Sequence, residues 1–247
     1  MKLKRCYLIK NPCYIKGERM TGKPYGIVVH STAANNTSVK RYVQPVSGQD
    51  KYNEIVSDLG VNQYGNHWNR SGLSKCVHAF IGKNAAGDIV TYETLPHDVC
   101  CWGCGSGSEG SFNYNPTPCI QFEICEDSRN NVTYFNAVMK EAMEYCAYLC
   151  ALYDIPVDRV VSHNEASKMK MAGSSSDIEH WLTLYGHDMK WFRAGVQALL
   201  CEGEEKPEYY YMVYSGSYPS QAEAETMTEK LRDAGFPAVT VEVKIKK

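Results

Sequence analysis

The sequence predicts an α/β domain, a central mixed β-sheet flanked by helices, followed by a small C-terminal β-α-β unit. Two observations predict it. Short β-branched apolar runs of strand length alternate with longer stretches that repeat at the helical period, the order that builds a sheet covered by helices. A polar stretch at 202–207, Glu202-Gly-Glu-Glu-Lys-Pro, then reads as a linker between a large segment at 1–201 and a tail at 208–247.

The elements follow in order. Tyr25-Gly-Ile-Val-Val-His-Ser is a β-branched run that reads as a buried strand ending at His30. Cys76-Val-His-Ala-Phe-Ile-Gly leads through the Gly-containing segment Lys83-Asn-Ala-Ala-Gly-Asp into Ile89-Val-Thr-Tyr, the pattern of a hairpin. Cys119-Ile-Gln-Phe-Glu-Ile-Cys is another strand, whose alternation places Gln121 and Glu123 on one face. The clearest helix spans 133–153: Phe135, Val138, Met139, Ala142, Cys146, Leu149 and Cys150 share a side, and Lys140, Glu141 and Glu144 fall mostly elsewhere. Ile155-Pro ends it, and Arg159-Val-Val-Ser-His reads as a strand finishing at His163. Asp188 is the predicted N-cap of a last helix reaching about 201, with Phe192, Val196, Leu199 and Leu200 on its apolar face. In the tail, 209–214 reads as a strand and 221–234 as a helix, with the capping-box pair Ser220 and Glu223 and the stop at Gly235. A closing strand follows at 238–243. A unit of about 40 residues rarely buries a core of its own, so the tail is expected to pack on the main domain or against another copy of itself.

Composition narrows the function. The chain has 247 residues, 44% apolar and 22% charged, as in a globular protein with a proper core. A net charge of −2 gives no footing for nucleic acid or an anionic membrane as the main partner. No apolar run approaches the roughly 20 residues that span a bilayer, so no membrane insertion is expected. The opening MKLKRCYLIKNPCYIKG is basic but lacks the apolar core of a signal peptide, so synthesis in the bacterial host cytoplasm is the expectation. The 11 cysteines are an odd number scattered over a long chain, unlike a small secreted disulfide framework, and read as reduced thiols.

The residues suited to chemistry are few. His30 and His163 each fall at the C-terminal end of a predicted buried strand, where α/β folds commonly place active sites. A catalytic zinc takes three protein ligands and keeps a position for water, and Asp177, in the polar loop Ser174-Ser-Ser-Asp, is a candidate third ligand. The same histidines would equally serve as hydrogen-bonding groups at strand ends, and Glu123 as a strand carboxylate facing solvent or in an ion pair.

Six blocks stand in one order: Val28-Val-His-Ser-Thr, Val77-His-Ala-Phe-Ile-Gly, Cys101-Trp-Gly-Cys-Gly, Ile120-Gln-Phe-Glu-Ile-Cys-Glu-Asp, Val161-Ser-His-Asn-Glu-Ala and Ser176-Asp-Ile-Glu-His-Trp. Together they resemble the N-acetylmuramoyl-L-alanine amidase family that includes phage endolysins and peptidoglycan recognition proteins. The likeness covers about residues 20–200 and is greatest to endolysins of clostridial phages and prophages. It implies zinc held by His30, His163 and Asp177, with Glu123 as general base on water, bacterial peptidoglycan as substrate, and cleavage between N-acetylmuramic acid and L-alanine. The chain also departs from the family. Val77 stands where many relatives carry tyrosine, Trp102-Gly-Cys-Gly where many carry Trp-His-Ala-Gly, and Ser175 where some carry lysine. A further donor for the transition state is therefore not named by the likeness. His78 is a candidate near the site or a core histidine beneath it. His180 and Trp181 are expected to brace the Asp177 loop. His67, Trp68 and Trp102 are candidates for the substrate groove, where aromatic faces suit sugar rings, or ordinary loop residues. Cys100, Cys101 and Cys104 lack the second Cys pair a structural zinc site needs, and read instead as a groove floor tightened by Gly103 and Gly105.

The tail segments Tyr211-Met-Val-Tyr-Ser-Gly-Ser-Tyr-Pro-Ser-Gln-Ala-Glu-Ala and Leu231-Arg-Asp-Ala-Gly-Phe-Pro-Ala resemble half of a sporulation-related repeat (SPOR) domain, a glycan-binding fold built from two such halves. That likeness implies a homodimer through paired tails, with a docked appendage as the alternative. Two rivals stand beside the hydrolase: a recognition protein that binds peptidoglycan without cutting it, and a zinc peptidase acting within the stem peptide. Absence of a signal peptide fits an enzyme released at lysis through holes made by a partner protein.

Overall fold

The computed structural model describes residues 1–202 and 218–234. The chain divides into two compact units, Met1–Glu204 and Glu205–Lys247. In chain order the first holds β1 (Leu3–Arg5), α1 (Pro12–Lys16), β2 (Gly26–Ser31), α2 (Tyr52–Leu59), β3 (Ala79–Lys83), β4 (Ile89–Glu93), β5 (Cys119–Ile124), α3 (Val132–Tyr153), β6 (Val160–Ser162), α4 (His163–Lys168), α5 (Glu179–Leu182) and α6 (Met189–Glu202). The second unit holds α7 (Gln221–Asp233). There the Ser220 hydroxyl accepts from the Glu223 N–H at 3.3 Å, as the capping pair predicts. The anticipated linker and both tail strands lie in the segments 203–217 and 235–247, outside the described residues, apart from Glu202, which ends α6. Among the described residues no helix is long and apolar enough to cross a membrane.

Six strands form one mixed sheet in the order β1-β4-β3-β5-β2-β6. Only the β3–β4 hairpin is antiparallel; every other pair is parallel. Its turn contains Gly87 at φ +89°, a left-handed conformation that glycine adopts without a steric penalty. Alternation along the strands makes two faces. Ile27, Val29, Ala79, Ile81, Ile120, Phe122 and Ile124 pack against α3, which carries α6 on its other flank. Phe80 and Tyr92 turn to the second face, beneath Tyr42, Val43 and Trp68.

Two short elements at the N-terminus escape the periodicity argument. β1 has three residues and pairs with β4 at the sheet edge. α1 has five, opened by the Asn11 carboxamide accepting from Cys13 N–H at 2.9 Å with proline at its first position. The strand expected to finish at His163 stops instead at Ser162. Its hydroxyl accepts from Glu165 N–H at 2.9 Å while the Glu165 carboxylate accepts from Ser162 N–H at 3.1 Å. This capping box starts α4 at His163. All eleven cysteines are free thiols, ten buried and Cys201 exposed, as their spacing implies.

Candidate active site

The parallel pairing of β2 with β5 sets His30 directly beside Glu123, both facing away from α3. The capping box that stops β6 sets His163 at the first position of α4, next to the end of β2. The loop before α5 then brings in Asp177. It is tied down by Asn164, whose N–H donates to Asp177 O at 2.8 Å and whose Nδ2 donates to Ser175 O at 3.0 Å. One ligand atom from each of His30, His163 and Asp177 lies within 4.8 Å of the others. The two imidazole rings meet edge to face at 4.6 Å. Asp177 Oδ2 stands 3.9 Å from His30 Nδ1 and 3.6 Å from His163 Nδ1, too long for hydrogen bonds.

Burial and mutual proximity set the electrostatics of these groups. Burial, followed by the neighbouring His163 ring, pulls the His30 pKa down to about 4, so both nitrogens cannot be protonated at neutral pH. Burial works to raise the Asp177 carboxyl, but His163 and His30 outweigh it and hold it below the ordinary range. Burial, then the negative field of Asp177, push Glu123 up to about 8 against the opposing charge of Lys75. Both ring nitrogens of His163 and Glu123 Oε2 are buried without a hydrogen-bond partner. Orphaned buried polar atoms cost free energy unless something satisfies them. Two imidazoles and a carboxylate are a donor set that catalytic zinc accepts, and a cation there would take one of the two unpartnered His163 nitrogens and favour the ionised form of Glu123. The residues fit the metal.

The remaining candidates divide. His180 bonds Glu126 Oε1 through Nε2 at 2.9 Å and Ser176 O through Nδ1 at 3.1 Å, next to the Asp177 loop. Trp181 is fully buried, its ring against Phe135 and Tyr134. His78 is buried under the sheet face: Nδ1 accepts from Gln121 N–H at 3.0 Å and Nε2 donates to Val99 O at 2.9 Å. Trp68, weighed as a groove residue, packs edge to face on Phe80 with ring centroids 4.9 Å apart, and Lys75 Nζ stands 4.8 Å from its ring. Trp102 packs on the same cluster, and His67 is half-buried with Nδ1 unpartnered. Cys101 and Cys104 are buried, and burial raises both thiols.

Sequence reasoning missed two residues. Gln121 bonds His30 Nε2 at 2.9 Å. Glu126, in the same block as Glu123, accepts from Ser31 Oγ at 2.6 Å and from Ala33 N–H at 3.0 Å as well as meeting His180. Alternation places Gln121 on the Glu123 face, but its partner lies on the neighbouring strand, two residues beyond the Val28 that Gln121 pairs with, which no pattern reports.

Two imidazoles and a carboxylate beside a buried carboxyl could hold a metal ion next to a proton-transfer group. Comparison with known proteins makes the class specific. A family model described as N-acetylmuramoyl-L-alanine amidase matches residues 20–177, more than half of the chain and inclusive of His30, Glu123, His163 and Asp177. The chain belongs to this family. Among solved structures it is similar to the Staphylococcus aureus hydrolase AmiA in complex with its ligand, at 18% identity over 85% of this chain and 88% of that one, with a TM-score of 0.55. The catalytic domain of XlyA gives 20% identity, 79% and 99% coverage and a TM-score of 0.50. The PlyG catalytic domain gives 21%, 81% and 96%, and 0.50. At these identities the likeness is one of fold. No curated protein matches the chain in sequence.

Proposed function

We propose that this chain is a zinc-dependent N-acetylmuramoyl-L-alanine amidase of the endolysin type. It hydrolyses the amide between the lactyl group of N-acetylmuramic acid and L-alanine in bacterial peptidoglycan. One observation carries the reading: His30, His163 and Asp177 gather their ligand atoms within 4.8 Å, next to a buried Glu123 whose Oε2 has no partner. Family membership supports the substrate class.

His30, His163 and Asp177 would hold the ion. When bound, zinc supplies Lewis acidity, polarising the scissile carbonyl and acidifying a water molecule. Glu123 takes the proton from the attacking water and passes it to the leaving amine of L-alanine. Its buried setting keeps its proton affinity near neutral pH, where a group that must both take and give a proton works best. Lys75 acts on the Glu123 charge and limits that rise. Asn164 holds the Asp177 loop against α4, and His180 ties it to Glu126.

Mass spectrometry of products released from clostridial cell walls, with and without a chelator, tests the function. Free stem peptides beginning in L-alanine beside intact glycan, lost on chelation, are the expected result. Fragments cut inside the stem would make it a peptidase, and binding without release a recognition protein. The tail at 208–247 is read as a SPOR-like module that binds wall glycan and pairs two chains. A full-length monomer at micromolar concentration in size-exclusion chromatography with light scattering would remove the pairing. Synthesis in the host cytoplasm and action on the wall after release complete the reading.

A further inference from the structure

Two main-chain groups decide the orientation of the amides beneath the ligand cluster. Cys104 N–H can only donate, and it donates to Asn113 Oδ1 at 3.1 Å, which settles which end of that carboxamide faces it. The Gln121 NH2 group donates to the same oxygen at 2.9 Å and to the Phe112 carbonyl at 3.3 Å. Phe112 O can only accept, so the Gln121 amide cannot be turned over. Both Gln121 hydrogens are then spent, and Oε1 is left facing His30 Nε2 at 2.9 Å. An amide oxygen only accepts, so Nε2 carries the proton. In a neutral imidazole the lone pair then sits on Nδ1, the nitrogen on the Asp177 side.

We propose that Gln121 is a positioning residue that holds His30 as the Nε2–H tautomer, so that Nδ1 faces Asp177 and His163 ready to bind metal. The inference rests on reading those three residues as ligands. A hydrogen bond from the far nitrogen of a metal-binding histidine sets both ring orientation and tautomer, and Gln121 is fully buried, where such a bond is strong. Gly103 belongs to the same device. A Cβ there would fall inside contact distance of Gln121 Oε1, 3.1 Å from Gln121 Cδ and 3.2 Å from Val77 Cγ1. The Trp102-Gly-Cys-Gly segment therefore leaves room for the amide, while its Cys104 N–H and Asn113 orient it.

Nitrogen-15 NMR of His30 in the metal-free, full-length protein reads the tautomer directly. An Nε2–H state is expected; an Nδ1–H or evenly mixed state in the wild-type protein would overturn the proposal without any variant. Gln121→Leu and Gly103→Ala are each expected to mix the tautomers and to weaken zinc binding about 10- to 100-fold in competition with a chromophoric chelator. Unchanged tautomer and unchanged zinc affinity in a folded Gln121→Leu protein would equally overturn it. A wild-type protein that shows Nε2–H yet binds no zinc would end the ligand reading and leave the tautomer assignment standing.

Discussion

Glu126 joins the two halves of the site: its Oε1 meets His180 Nε2 at 2.9 Å and takes the Ser31 hydroxyl at 2.6 Å. Ser31 follows His30 on β2, and His180 follows Asp177 by one turn of chain, so one buried carboxylate spans two ligand-bearing segments. Breaking the span should loosen Asp177 without emptying the core. His180→Ala is expected to lower zinc affinity about 10- to 100-fold and to move the melting temperature by only a few degrees. Chelator competition and calorimetry on the same sample check both halves, and an unaltered affinity would show that the loop holds itself.

Ligand and base should separate in their phenotypes. His30→Ala removes a buried ligand and is expected to leave the purified protein without zinc by elemental analysis. Glu123→Ala should keep a full equivalent of zinc and lose about 10²- to 10⁴-fold in turnover, the usual worth of a positioned proton-transfer group. Near-wild-type turnover in Glu123→Ala would remove it as the base.

His78 gives stability a pH dependence. Burial, followed by the His97 charge, lowers its pKa from 6.5 to about 3. The unfolded chain therefore binds a proton between pH 6.5 and 3 that the folded chain does not, and stability falls as pH falls through that window. At pH 5 the loss from this residue is about 2 kcal/mol. His78→Gln should be less stable at pH 7 and show a shallower decline toward pH 5. Urea unfolding at the two pH values measures it, and parallel declines would contradict the assignment.

Thiol reactivity should count burial. Only Cys201 is exposed, and burial raises thiols such as Cys101, Cys119 and Cys125 well above their ordinary value, which leaves little thiolate to react. The native protein should titrate about one cysteine quickly with a disulfide reagent and all eleven after unfolding. Several fast thiols in the native state would mean that the second core layer opens readily.

Trp181 shows what the brace on the Asp177 loop is made of. Its ring is fully buried against Phe135 and Tyr134 of α3, and together with the buried Leu182 it fixes α5 to the core. Trp181→Ala should cost about 3–5 kcal/mol of stability, read by chemical denaturation. A cost below about 1 kcal/mol would mean that the buried Ile178 and Leu182 and the loop hydrogen bonds anchor α5 without it.

Much of this protein was legible in one dimension because the physics that produced it is local. The β-branched runs became β2, β3, β4 and β5, and the helical periodicity of 133–153 became α3, since both patterns record which side chains must leave water. The Ser162-His-Asn-Glu165 capping box is equally local, and it corrects the end of β6. β1 and α1 were not legible, because neither carries an apolar pattern of its own and both take their stability from the sheet edge and the cap. His30, Glu123, His163 and Asp177 were identified by residue type and by the order of six blocks. Their convergence came only from the register of β2 on β5 and from the pinned loop before α5. The tautomer of His30 lies further still from the sequence. It depends on Cys104 and Phe112, on Asn113 and Gln121, and on the space kept by Gly103, groups that meet because directional hydrogen bonds are satisfied in three dimensions and leave no periodic trace along the chain.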